Sequence, residues 1–220
     1  MTNVDEIIKK SLERFISIKH ETQNEHSDEK LIFPCTRNED KRLSEQEIKQ
    51  LFIDELIKGD NDYYYSVEAP TTLLYTFSGQ KEQGLPPVIG RGQSARIDVC
   101  LYAFENGYKR KHLIEFKAKT FDAQTDFLKL KYENEDEDEM LNNYFVHVLN
   151  SYDSGTIKRL EECYEEAFAL KASNGKQKEN KITVFVCMAD IKLKYSGSKN
   201  IISFCENNYK EALSQFLSGQ

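Results

Sequence analysis

No apolar run in this 220-residue chain approaches the roughly 20 residues a membrane helix requires. Its first residues alternate charged with apolar side chains, which is unlike a signal peptide. The expectation is a cytoplasmic protein with no membrane partner. Cysteine is sparse too: the five, at 35, 100, 163, 187 and 205, are odd in number and form no CxxC pair. That argues against a disulfide framework or a cysteine zinc site, and for reduced, buried thiols. The four histidines, at 20, 26, 112 and 147, show no metal-ligand spacing. His147 lies inside an apolar run and reads as a core residue with its polar atoms satisfied. There is no internal repeat, and the one biased tract is the acidic run 133–139 (ENEDEDE).

An overall excess of basic charge is also missing. The formal net charge is −7, which argues against a polyanionic partner. Its distribution weakens the objection, because the six acids of 133–139 account for all but −1 of it. Between residues 91 and 131 nine Lys or Arg stand against five Asp or Glu, so that segment is locally basic.

What is present suits one α/β core. Val4, Ile7, Ile8, Leu12, Phe15 and Ile16 recur at helical spacing. Ser44 and Glu47 match a capping box opening a helix with Ile48, Leu51, Phe52 and Leu56 on one side, ending by Gly59. Residues 63–67 and 71–77 read as two strands, and 79–94, with four glycines and Pro86-Pro87, as a long loop. Beyond it come strands at 95–104 and 111–119 around Asn106-Gly107, then a helix over 121–132. The acidic run is expected to be a solvated loop. A strand at 144–149, a helix at 156–171, a fully buried strand at 182–189 and a helix near 207–217 complete the chain. The predicted fold is a mixed central β-sheet with helices on both faces, in a single domain. That domain divides into an N-terminal helix and polar loop (1–43), a motif-bearing core (44–132), the acidic loop (133–139) and a C-terminal part (140–220).

The strands at 95–104 and 111–119 carry the chemistry. Glu115 and Lys117, two apart, project to one face, while Ile114 and Phe116 project to the other. Ile97, Val99 and Leu101 form an apolar row that Asp98 interrupts. If the strands pair, Asp98, Glu115 and Lys117 converge on one face. Two carboxylates suit Mg²⁺, which takes one or two of them together with waters and substrate phosphate. Without a cation they raise each other's pKa, and a lysine beside them stays protonated, a poor base but a fixed positive charge. The competing reading is a set of ordinary cross-strand ion pairs.

The order of these motifs resembles the PD-(D/E)xK nuclease superfamily, with its restriction-endonuclease-like fold. Residues 44–57 (SEQEIKQLFIDELI) are similar to the first helix of nuclease domains in type I restriction subunits. Residues 95–99 (ARIDV) resemble the aspartate strand, and 114–118 (IEFKA) the (D/E)xK strand. The resemblance implies Asp98, Glu115, Glu45 and the backbone carbonyl of Phe116 as metal ligands, and Lys117 as the catalytic lysine. Glu68, in Ser-Val-Glu-Ala-Pro, resembles a strand glutamate of some branches. Ile97 stands where the superfamily's name has proline. Gln124 matches a glutamine that follows the lysine motif in some members, but Leu128 replaces its aromatic companion.

The resemblance thus implies a Mg²⁺-dependent nuclease, with Mn²⁺ able to substitute, acting on DNA and leaving 5′-phosphate ends, in a restriction or defence setting. Arg91, Arg96, Gln124 and Lys129 are the candidate substrate contacts; Lys129 and Lys131 read equally as a solvated helix face. Glu45 in a first helical turn also simply suits the helix dipole. A homodimer, or a further protein subunit supplying recognition, is compatible with the chain. The alternative function is a catalytically inactive module of this fold that engages a protein partner through its acidic surface.

Overall fold

The computed structural model describes residues 3–20, 29–35, 41, 43–76, 88–89, 92–133, 140–150, 154–171, 179–189 and 200–218. The first helix, α1 (Val4–His20), buries Val4, Ile7, Ile8, Leu12 and Phe15, and Asp5 and Glu6 in its first turn suit the helix dipole. It packs beside α2 (Glu45–Lys58), which buries Ile48, Leu51, Phe52 and Leu56. The expected capping box does not form, because Ser44 makes no side-chain cap bond. Glu47, the other half of the expected box, is buried.

Among the described residues seven strands form one sheet: β1 (Tyr64–Thr76), β2 (Val88–Ile89), β3 (Gln93–Phe104), β4 (Tyr108–Ala118), β5 (Asn142–Leu149), β6 (Lys181–Met188) and β7 (Ile201–Phe204). Their spatial order is β2-β1-β3-β4-β5-β6-β7. The β4–β5 and β5–β6 pairs are parallel and the others antiparallel, so the sheet is mixed as expected. The remaining helices are α3 (Gln124–Tyr132), α4 (Ser154–Ala169) and α5 (Tyr209–Ser218). The β3–β4 turn uses Asn106 at φ 57° and Gly107 at φ 139°, backbone that an Asn-Gly pair adopts at little cost.

Two hydrophobic cores flank the sheet. One joins α1 and α2 to Val99, Leu101, Ile114, Phe116, Val146 and Phe185. The other joins α3, α4 and α5 to Leu113, Phe145, Val184 and Val186 around Phe127, Tyr164 and Phe168. Central strands β5 and β6 are buried on both faces, which explains their continuous apolar runs. This is an α/β architecture with helices on both sides of the sheet.

Several expectations are corrected. The strands read at 63–67 and 71–77 are one strand, β1, with an irregularity between Pro70 and Leu74. Part of the 79–94 loop is β2, paired with the end of β1, and the four-residue β7 was not foreseen. Glu133 begins no solvated run. It is fully buried, accepting from Thr72 Oγ1 (2.7 Å), the Leu73 amide (3.2 Å) and Arg110 Nη1 (3.0 Å). The rest of that run, 134–139, lies outside the described residues. All five cysteines are free; Cys100, Cys163 and Cys187 are buried, but Cys35 and Cys205 are exposed. Burial pushes the Cys100 and Cys187 thiols up to about 12, so they stay unreactive. No helix among the described residues is long and apolar enough to cross a membrane.

Candidate functional site: charged residues where β3 and β4 part

The β3–β4 ladder runs from Phe104↔Tyr108 to Val99↔Ile114 and has no pair beyond it, while β4 continues to Ala118 along β5. Asp98 stands where the strands part. Its Oδ2 accepts the backbone N–H of Phe116 at 2.9 Å, bridging the gap the ladder has left. The Phe116 carbonyl leaves the same edge of β4 as its N–H, towards β3. The expected apolar row on β3 is broken here. Ile97 packs on the α3–α5 side with Cys100 and Leu113, whereas Val99 and Leu101 pack on the α1–α2 side. Neighbouring β1 is irregular at the same level: Glu68, between the pairs Val67↔Val99 and Ala69↔Ile97, has φ 52°. A non-glycine residue in that region is strained, and such residues concentrate at functional sites.

Lys49 of α2 reaches into this irregularity. Its Nζ lies 2.6 Å from Glu68 Oε1 and 3.2 Å from Asp98 Oδ1, with the side chain buried. Burial alone would lower the Lys49 pKa, but Glu68 and Asp98 outweigh it and the ammonium stays charged. One turn earlier on α2, Glu45 Oε1 accepts the Ala118 N–H at 3.2 Å, fixing the helix start to the end of β4.

Glu115 and Lys117 share the face of β4 covered by α3. Glu115 is 4% exposed and lies 2.5 Å from Lys129 Nζ. Lys129 Nζ also contacts Asp126 Oδ1 (3.0 Å) and donates to the Arg96 carbonyl (2.9 Å). The other Asp126 oxygen is 3.0 Å from Lys117 Nζ. Acids and lysines therefore alternate along Glu115–Lys129–Asp126–Lys117. Burial lifts the Glu115 carboxyl well above its ordinary value against the pull of Lys129, with Asp126 and Asp98 lifting it further. Burial opposes charge on Lys117, but Asp126, then Glu45 and Asp122, prevail and keep it protonated.

Asp98 and the Phe116 backbone thus meet where β3 and β4 part, with Asp98 near enough to help raise the Glu115 carboxyl. Glu45 is bonded further along, at Ala118, and Lys117 is held through Asp126 rather than through either β-strand carboxylate. The candidate substrate contacts fare differently. Lys129 is 6% exposed and locked in the ion-pair chain, so it faces neither phosphate nor solvent. Lys131 is also buried, donating to the Phe168 and Leu170 carbonyls. Gln124 donates to Glu166 Oε2 at 2.8 Å and ties α3 to α4. Arg96 is exposed on β3, and Arg91 lies outside the described residues. Sequence reasoning overlooked Lys49 and the pairing role of Asp126. The one available signal was the spacing of Lys49 four residues after Glu45, on the same helix face.

To a cation the parting of the strands would offer Asp98 and Glu115, hard oxygen donors of the number Mg²⁺ takes while keeping waters. Among the described residues no three His, Cys, Asp or Glu stand grouped to hold a metal. A lysine lies against each carboxylate instead. In donor chemistry alone, two carboxylates are the kind and number that a Mg²⁺ site would use, and a divalent cation there would offset the burial and the Asp126 and Asp98 charges that lift the Glu115 carboxyl. Compared with known proteins, the chain matches no family model, no curated protein and no solved structure significantly.

Proposed function

We propose that this chain is a Mg²⁺-dependent nuclease that hydrolyses phosphodiester bonds in DNA. The observation that carries the reading is the parting of β3 from β4 beyond Val99↔Ile114, with Asp98 set across the gap beside Glu115. Asp98 and Glu115 would hold the cation, with the Phe116 carbonyl and Glu45 at its margin. Bound there, Mg²⁺ supplies charge stabilisation at the phosphate and lowers the pKa of a bound water. Lys117, kept protonated by its acidic neighbours, contributes positive charge at the phosphate and orients the attacking water rather than serving as base. Cleavage leaves 5′-phosphate ends, and Mn²⁺ substitutes for Mg²⁺. A restriction or defence setting, with a further subunit supplying recognition, belongs to the same proposal.

The test is incubation of the purified chain with DNA and with RNA, with and without Mg²⁺ or Mn²⁺. Asp98→Ala and Lys117→Ala each lower DNA cleavage by about 10²–10³-fold if their charges act on the reacting phosphate. Cleavage that persists undiminished in both variants assigns the activity elsewhere.

One observation favours a second reading, an inactive module of this fold that binds a protein partner. Lysines already lie against both strand carboxylates. No cleavage of any substrate, together with no calorimetric response to Mn²⁺, decides for that reading.

A further inference from the structure

Asp98 has two carboxylate oxygens, and both are engaged. Oδ2 accepts the Phe116 N–H, while Oδ1 accepts from Lys49. A cation approaching Asp98 on the side away from the peptide therefore meets the Lys49 ammonium first. That ammonium is closer to Glu68 (2.6 Å) than to Asp98 (3.2 Å), so a second carboxylate stands ready to keep it. Docking of α2 does not call for a charged group here, since Ile48, Leu51, Phe52 and Leu56 already bury against the sheet. A lysine desolvated this far needs carboxylate partners, and Glu68 is presented to it from left-handed backbone.

We infer that Lys49 is a built-in counter-cation of the site. It neutralises Asp98 until a divalent cation binds, and is then held by Glu68 alone. Glu68 is accordingly a positioning residue, acting on the site through Lys49. The inference rests on the nuclease reading for the cation at Asp98, but concerns how that cation gains access. It is a competition between one resident positive charge and one incoming ion, with no covalent step.

The direction of the effect separates this role from a structural one. Mn²⁺ binding to the full chain is measured by calorimetry for wild type, Lys49→Gln, Glu68→Gln and the double variant, with folding checked by circular dichroism. Lys49→Gln binds Mn²⁺ about tenfold tighter, the scale of one modest charge interaction removed. Glu68→Gln binds several-fold weaker, because Lys49 is left to Asp98 alone. The double variant matches Lys49→Gln, as a residue acting only through Lys49 requires. Unchanged or weaker binding by Lys49→Gln, beside normal binding and cleavage by wild type, overturns the counter-cation role and leaves the nuclease reading standing. No Mn²⁺ binding by any protein overturns both. If Lys49→Gln does not fold, Glu68→Gln decides alone, and unchanged affinity there overturns the inference.

Discussion

At the scale of residues, burial dictates protonation at His147. Its Nδ1 lies 2.8 Å from the Tyr164 hydroxyl and its Nε2 2.8 Å from the Thr120 carbonyl, which suits a neutral ring protonated on Nε2. Desolvation takes its pKa from 6.5 down to about 4, with Lys117 also acting against the charged form. The unfolded chain binds this proton more readily than the folded one between those values. The stabilisation is therefore complete above pH 6.5 and is lost as pH falls towards 4, about 3 kcal/mol in all. Urea unfolding at pH 7.5 and 4.5 tests this: His147→Gln loses about 2–3 kcal/mol less between the two than wild type does. Equal losses in both proteins contradict it. His147 was legible as a core residue because apolar neighbours flank it on both sides in the sequence. Lys49, Lys129 and Lys131 were not legible. A lysine on a helix ordinarily reaches solvent, and the carboxylates or carbonyls that retain these three come from distant parts of the chain.

At the scale of elements, Glu133 clamps the end of α3 to the irregular part of β1. The same carboxylate meets Thr72, Leu73, Tyr75 and Arg110, and Arg110 Nη2 donates in turn to the Pro70 carbonyl at 2.9 Å. Its removal takes a buried carboxylate from the Arg110 guanidinium and this acceptor from two backbone N–H groups. Glu133→Ala is expected to cost about 3–5 kcal/mol in chemical denaturation. A loss under 1 kcal/mol would show, on the scale of exposed ion pairs, that solvent replaces these contacts. Helices α1 and α4 and strands β5 and β6 were readable, because their apolar spacing follows one period throughout. Strand β1 was split in the reading at Glu68-Ala69-Pro70, next to the irregularity between Pro70 and Leu74 that Glu133 and Arg110 secure. Glu133 itself was concealed at the head of a run of acids whose composition signals solvation.

At the scale of the whole molecule, the basic surplus of residues 91–131 is largely consumed within the protein. Arg110, Lys111, Lys117, Lys129 and Lys131 all pair with acids of the chain, while Arg96, Lys109 and Lys119 are exposed. With a net charge of −7 the chain as a whole repels a polyanion at long range, so the proposed action on DNA would need a local positive field or a further subunit. The fold class was legible because alternating helix and strand patterns leave few arrangements open. The candidate site was legible only as three charged residues on neighbouring strands. The engagement of Asp98 and Glu115 by lysines from α2 and α3, and of Lys117 by Asp126, depends on packing that the local pattern does not encode. The central claim is that Asp98 and Glu115 together hold a divalent cation, and Mn²⁺ located by its anomalous scattering in soaked crystals tests it most directly. The account predicts a single Mn²⁺ coordinated by both carboxylates with the Lys49 ammonium moved onto Glu68; Mn²⁺ bound only elsewhere, or none at Asp98 and Glu115 under saturating conditions, would contradict it.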